Sequence, residues 1–350
     1  PPPWPDLVVA PQPLAVEVGA TVLAEGGNAV DAAVAAALVQ GVADPQMCGI
    51  GGFGALQHYD AATGRHTTLQ FPGTAGSLIR EDMWQHLLRE EYRVGYGFRL
   101  AGYENDVGWQ SVATPGTVAG LAEAHRRWGS QPWGNLVEPA ARLAEDGLTL
   151  TPTLTDRWRR PGTPGFAFPL WRLTHTPAAA RLFTRDGATP LQMGERLIQK
   201  DYAHSLRRLA DEGPQNFYSG ALGRQLGQAI MSHGGYVTPD DLAAYRVRAP
   251  APAVGHYRGL TVQSDPLPDG GATLIQMLHA LEHFDLVSLG HNSPRYVDLV
   301  ARTMQWAFAD WTTRLGDPLF TADLTPVITD PVYAAAAAAR LAAGERFPVP

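Results

Sequence analysis

The sequence predicts a mixed fold of helices and strands, α/β in the broad sense and α+β in detail, and three observations carry that prediction. A short apolar helix, Ala29 to Ala43, is bracketed by two glycine-rich turns within EGGNAVDAAVAAALVQGVADPQMCGIGGFGA, residues 25–55. Two candidate strands follow, Leu56 to Tyr59 and Thr67 to Phe71, joined by Asp60-Ala61-Ala62-Thr63-Gly64, which is a hairpin signal. Most of the remaining chain reads as helices stopped by glycine or proline.

Asn28 caps the apolar helix and Asp31, three residues on, completes a capping-box pattern that also suits the positive end of the helix dipole. Between Ala29 and Ala43 the strongly polar residues are Asp31 and Gln40, and the alanines allow close packing on every side, so the helix is expected at the centre of the fold. A bilayer span needs roughly 20 apolar residues; this run is shorter and carries Asp31, so no membrane span is expected. Asp44-Pro45 stops it, because the residue before proline is pushed out of the α region. The segment Gly49-Ile50-Gly51-Gly52-Phe53-Gly54 that follows satisfies GxGxxG, but it comes after a helix and leads into a strand, the reverse of a dinucleotide-binding turn. It reads instead as a buried glycine turn with the option of lining a substrate pocket.

The chain of 350 residues is 45% hydrophobic and 17% charged, enough for one large or two ordinary domains, with no compelling boundary inside 1–350. A formal charge of -7 and the absence of a long basic block argue against a nucleic-acid partner. The single cysteine, Cys48, excludes an intrachain disulfide and a cysteine zinc site, and its apolar neighbours suggest a small buried hydrophobe. No charged n-region or apolar h-region is read in PPPWPDLVVAPQP, so a cytoplasmic setting is expected.

In order, Pro13 to Ala24 reads as a helix with Leu14, Val18 and Val22 on its packing stripe. Ile79 to Trp109 reads as a long surface loop or lid after a short helix near Met83 to Leu88, with Gly95, Tyr96, Gly97, Arg99 and Tyr103 suited to covering a pocket, or equally as an ordered excursion packed on its own aromatics. Helices are expected from Val118 to Trp128 and Asn135 to Asp146, an irregular proline-rich stretch from Trp158 to Arg185, and helices again at Asp201 to Glu212 and Gly220 to His233. A short helix ends near Tyr245, a strand spans Tyr257 to Gln263, and helices cover Ala272 to His283, Pro294 onward and Pro331 to Ala343, before the closing Phe347-Pro348-Val349-Pro350. On the Pro294 helix, Tyr296, Leu299, Val300, Met304, Phe308 and Trp311 recur at core spacing. His279 and His283 lie four apart, but no glutamate follows His279 as an HExxH site needs, so a hydrogen-bonded or solvated pair is expected and no metal.

Several segments in fixed order resemble the large, N-terminal subunit of the γ-glutamyltranspeptidase family. They are Gly26-Gly27-Asn28-Ala29-Val30-Asp31-Ala32-Ala33, Asp44-Pro45-Gln46 with the glycine turn, and Thr114-Pro115-Gly116-Thr117-Val118-Ala119-Gly120. Gly213-Pro214 with Phe217-Tyr218-Ser219-Gly220, Gly234-Gly235 with Asp241-Leu242-Ala243-Ala244-Tyr245, Tyr257-Arg258-Gly259 and Leu315-Gly316-Asp317-Pro318 complete the set. The resemblance spans essentially the whole chain. It implies a four-layer αββα N-terminal-nucleophile hydrolase, cut by its own chemistry into two subunits, with the new N-terminal threonine of the small subunit as nucleophile and its α-amine as base. On that reading no catalytic residue lies in this chain, no cofactor is needed, the partner is the small subunit of the same precursor, and a dimer of such heterodimers is a further option.

The resemblance also marks departures. The arginine that binds the α-carboxylate of a glutamyl substrate aligns with Pro72, and Gly73 and Thr74 beside it differ as well; the third glycine of the turn is Phe53, and the arginine expected after Asp310 is Trp311. Proline cannot replace a bidentate guanidinium. The first-ranked expectation is therefore an amidase or acylase for a small-molecule substrate without a free α-amino acid head. Behind it stand a biosynthetic relative, as in antibiotic pathways, that cleaves a C–C bond, a true transpeptidase that recruits Arg80 or Arg99, and a non-enzymatic scaffold.

Overall fold

The computed structural model describes residues 6–92, 97–162 and 166–347. Gly95, Tyr96, the first five residues and Pro348-Val349-Pro350 lie outside the described residues. Along the chain come α1 (Pro13–Ala24), α2 (Ala29–Ala43), β1 (Gly54–Asp60), β2 (Arg65–Phe71), β3 (Leu88–Tyr92), β4 (Gly97–Leu100), α3 (Thr117–Trp128), α4 (Trp133–Asp146) and β5 (Leu148–Thr149). Then follow α5 (Pro152–Arg159), α6 (Pro169–Thr174), α7 (Pro177–Phe183), β6 (Arg196–Leu197), α8 (Lys200–Glu212), α9 (Ala221–Ser232) and α10 (Pro239–Ala244). Last are β7 (Ala253–Tyr257), β8 (Leu260–Ser264), α11 (Gly271–Leu281), α12 (Leu286–Leu289), α13 (Pro294–Thr313), α14 (Thr325–Ile328) and α15 (Pro331–Ala342). Among the described residues the strands pair two by two, β1 with β2, β3 with β4, β5 with β6 and β7 with β8. The chain divides into two compact units, residues 1–54 with 71–247, and residues 55–70 with 248–350.

The first unit is built on α2. Asn28 Oδ1 accepts from the amides of Val30 and Asp31, and Asp31 answers by accepting from Asn28 N, a complete capping box. Twelve of its residues are buried, and it packs against α1, α3 and α4, while α4 in turn packs on α8. Each large apolar side chain so buried, Leu38 or Val42 for instance, stabilises by roughly 1.5–3 kcal/mol. Asp31 is buried because it closes a second connection: it accepts from Ser130 N at 3.0 Å, Ser130 Oγ at 2.5 Å and Gln131 N at 3.3 Å. Burial alone would raise its carboxyl; the bonds from Ser130 Oγ and the backbone of Asn28, Ser130 and Gln131 outweigh that and hold it below the ordinary carboxylate value.

Three elements of this unit differ from the sequence reading. The face of α1 that packs is Ala15, Gly19 and Val22, whereas Leu14 is exposed. Close approach to α2 demands small residues here, and a Cβ on Gly19 would stand 2.8 Å from Val8 Cγ1 and 3.4 Å from Ala32 O. The stretch 158–185 holds α6 and α7 after the end of α5, and each of these three helices has a proline in its first turn, where the missing N–H costs nothing. The excursion 79–109 contains a 3-10 turn, Gln85–Leu87, and an antiparallel β3–β4 ladder pairing Leu88 with Leu100.

In the second unit, the turn between β1 and β2 is held by Asp60, which accepts from Ala62 N and Thr63 Oγ1, and by Gly64 at φ 66°. The strand expected at 257–263 is a hairpin, β7 with β8, turning at Arg258 (φ 48°) and Gly259 (φ 80°). An arginine in the left-handed region carries no local sequence signal, which is why one strand was expected. Around α11 pack α13, α14, α15 and this hairpin. The buried stripe of α13 is Leu299, Thr303, Trp306, Ala307 and Asp310, with Met304 exposed, so the packing face is rotated from the expected one. Asp310 explains the rotation: it accepts from Gln276 Nε2 and Tyr333 Oη, both at 2.7 Å, and pairs with Arg314. His279 is buried with Nε2 accepting from His256 N, while His283 is exposed.

Candidate active-site corner

The glycine turn after α2 is fixed almost wholly by main-chain bonds. Met47 N and Cys48 N donate to Asp44 O, Gly52 N donates to Gly49 O, and Ile50 N donates to Tyr202 Oη at 3.2 Å. Burial pushes the Tyr202 phenol up to about 12, so it stays protonated. A Cβ on Gly41 would lie 3.0 Å from Gly49 Cα, which shows how closely helix and turn approach. A cavity of about 420 Å3 opens beside the turn, with Pro45, Cys48, Ile50, Gln199 and Tyr202 in its wall. Cys48 is exposed there, not the buried hydrophobe expected; the proline stop at Asp44-Pro45 turns the chain outward at this point. Partial burial and then the nearby Asp44 raise its thiol above the ordinary value.

Gly52 O accepts from Gly116 N at 2.8 Å and Thr117 N at 3.1 Å, tying the glycine turn to the start of α3. The segment after β2 joins the same corner. Thr74 N donates to Thr114 O at 3.1 Å and Thr114 N to Thr74 O at 2.8 Å, a two-bond bridge between Thr74 and Thr114. Pro72 O accepts from Tyr245 Oη at 2.7 Å. A Cβ on Gly73 would lie 3.3 Å from both Ala113 Cβ and the Phe53 ring, so the Phe53 side chain stands against Gly73, 72% exposed. A Cβ on Gly116 would collide with Phe71 O and Tyr245 Oη, which explains why glycine stands there.

Two tyrosines back this arrangement. Tyr218 stacks on Tyr245 with ring centroids 5.5 Å apart, donates to Pro115 O and accepts from Ala119 N. Burial, and then the neighbouring Tyr245, push the Tyr218 phenol up, so it too stays protonated. The structure thus brings together Pro72, Gly73 and Thr74 with Phe53, Thr114, Gly116, Tyr218 and Tyr245. Arg99 falls elsewhere, in β4 opposite Glu90, and Arg80 is an exposed side chain 3.8 Å from Asp82. Tyr245 and Thr114 were not singled out by sequence as site residues; Thr114 Oγ1 is buried without a hydrogen-bond partner among the described residues.

Chemically the corner offers shape and main-chain polarity. The phenols of Tyr202 and Tyr218 are held protonated, and neither a carboxylate nor a guanidinium contributes to the bonds described for the corner. What these bonds supply is a surface that can position a substrate. Among the described residues no group of three or more His, Cys, Asp or Glu side chains gathers for a metal, and no helix is long and apolar enough to cross a membrane.

Residues 15–349 match the gamma-glutamyltranspeptidase family model. The chain is 37% identical over 337 residues to the acylase ACY 1 proenzyme of Pseudomonas sp. strain V22, covering 94% of this chain and 57% of that protein. It is 33% identical over 329 residues to the glutathione hydrolase proenzyme of Escherichia coli strain K12, covering 94% of this chain and 54% of that protein. The chain therefore spans a little over half the length of these relatives. Its fold superimposes on the crystal structure of Helicobacter pylori gamma-glutamyltranspeptidase with a TM-score of 0.86 at 28% identity, covering 99% of this chain and 93% of that one. A mixed helix-and-strand chain with this match from end to end belongs to the gamma-glutamyltranspeptidase family of N-terminal-nucleophile hydrolases.

Proposed function

We infer that this chain is the large subunit of an autoprocessed amide hydrolase whose nucleophile is the N-terminal threonine of a small subunit, and that it acts on acyl groups lacking a free α-amino acid head. The observation that carries the reading is Pro72. It occupies the position at which family resemblance expects a carboxylate-binding arginine, and its carbonyl is committed to Tyr245 Oη. A charge-assisted hydrogen bond contributes roughly 1.5–3 kcal/mol, and a bidentate guanidinium makes two. A γ-glutamyl carboxylate would lose that contact, while an unsubstituted acyl chain never used it. Phe53 beside Gly73 presents an apolar face that suits such a chain. The identity to an acylase proenzyme, 37% against 33% for a glutathione hydrolase proenzyme, leans the same way.

In this reading the threonine hydroxyl attacks the amide carbonyl, its own α-amine accepts the proton and returns it to the leaving amine, and water releases the acyl group. The chain's own part is to hold the segment 72–74 in place through Tyr245 and the Thr114 bridge. N-terminal sequencing of the companion chain of the whole protein should read threonine; a single uncleaved chain refutes the autoprocessed enzyme. Release from a glutaryl anilide should exceed release from the γ-glutamyl anilide. Pro72→Arg should shift that preference toward the γ-glutamyl compound, and faster γ-glutamyl turnover by the unmodified protein refutes the substrate assignment.

A further inference from the structure

The tip of the β7–β8 hairpin is tied to α11 by two side chains about one helical turn apart. His279 Nε2 accepts from His256 N at 3.0 Å, and Glu282 Oε1 accepts from Arg258 N at 2.6 Å. Gly255 makes room for the imidazole, since a Cβ there would stand 2.7 Å from His279 Nε2. The base of the hairpin is held separately. Ala253 and Val262 pack with Ile275, and Gln57 Nε2 donates to Ser264 Oγ and Asp265 Oδ2.

The two ties answer differently to mild acid. An imidazole accepts through Nε2 only while it is neutral, with its proton on Nδ1; the imidazolium has two donors and no acceptor. Protonated His279 would therefore set N–H against the N–H of His256. The groups that face the ring are Glu282 on α11 itself, His256 on β7, the Thr329 backbone after α14 and Asp330 at the start of α15. Burial of the ring, helped by His256, outweighs the opposing pull of Glu282, Thr329 and Asp330 and holds His279 below 6.5. A ring released to solvent takes the ordinary value, so protons favour the released tip. The tie is complete above 6.5 and is lost as pH falls through the lower folded value.

We propose that His279 is a proton-operated latch, which pins the tip of the β7–β8 hairpin to α11 while its ring is neutral and releases residues 256–261 when it is protonated. The assignment is independent of the acylase reading. It is tested on the whole protein by hydrogen exchange of peptides covering 254–262 as pH is lowered from about 7.5 to about 5, corrected for intrinsic exchange, beside the NMR titration of the His279 ring. Opening of the tip should rise by up to about ten-fold per pH unit below 6.5, the limit for one proton, while α11 keeps its protection. His279→Gln keeps an acceptor that does not titrate, and should abolish the rise. His256→Gln, at an exposed position whose part is played by its backbone, should retain it. Should His279→Gln fail to fold, the parent decides: the ring midpoint must coincide with the opening of the tip. Exchange of the tip that ignores pH, a rise that survives in His279→Gln or is lost in His256→Gln, or a ring midpoint at or above 6.5 overturns the latch.

Discussion

Replacing Asp31 by asparagine keeps the side-chain shape and inverts the polarity of one atom. Asp31 Oδ2 takes bonds from Asn28 N at 3.0 Å and Ser130 Oγ at 2.5 Å, and Oδ1 from Ser130 N at 3.0 Å and Gln131 N at 3.3 Å. If the new NH2 group takes the Oδ2 place, the Ser130 hydroxyl can turn round and accept from it, but Asn28 N–H loses its acceptor. If it takes the Oδ1 place, two backbone donors face it. The cheaper choice loses one charge-assisted bond and reduces the others to neutral strength, a cost of about 2–4 kcal/mol. That corresponds to about a 30- to 700-fold rise in local opening of the start of α2 and of the segment after α3. Hydrogen exchange read by mass spectrometry on peptides covering 25–35 and 126–133 measures it directly. Protection within three-fold of the parent in both peptides refutes the reasoning. The pH dependence has a defined sign. The Asp31 carboxyl is depressed below 3.8, so its stabilisation is present above that value and disappears as pH falls through the lower folded value. The asparagine variant should lack this part of the acid limb.

Gly116→Ala places a Cβ against Phe71 O and Tyr245 Oη, so it should destabilise by about 2 kcal/mol or more in denaturant titration; an unchanged midpoint contradicts the packing described. Tyr245→Phe removes the donor to Pro72 O and should cost about 1–2 kcal/mol and raise KM for the preferred anilide more than it lowers kcat, whereas unchanged stability and kinetics would separate Tyr245 from the corner. Glu123 is held at about 2, chiefly by the hydrogen bonds of Arg126 and, against burial, by Arg127. Its contribution is therefore complete above 4.5 and lost between 4.5 and about 2, and with Arg126 69% exposed to solvent screening Glu123→Gln should cost at most about 1 kcal/mol at neutral pH.

What was legible in the sequence was local. The Asn28–Asp31 box, the glycine stops and the Asp60–Gly64 turn each need only a few neighbouring residues, and each stands as read. Elements whose determinants are distant were misread. The packing face of α13 is set by Asp310 meeting Gln276 and Tyr333, and that of α1 by its distance from Ala32, neither of which any helical period encodes. Proline in the stretch 158–185 reads as irregular chain, yet it opens helices. For the corner, the strand end at Pro72–Thr74 could be marked from sequence by alignment to a family pattern. Tyr245 lies in another segment of that pattern, but its pairing with Pro72 is not legible there, because a hydrogen bond across 173 residues leaves no spacing to detect.

The corner's joints run largely through peptide groups: Gly52 O to Gly116 N and Thr117 N, and Thr74 to Thr114 in both directions. Peptide groups are the same whatever side chains they carry. A frame built this way stays assembled when its outward side chains are exchanged, so residues such as Phe53, Pro72 and Thr74 can drift without unmaking it. Outward side-chain chemistry and structural integrity are thereby written in separate atoms of the same few residues, so the one can change while the old backbone stays.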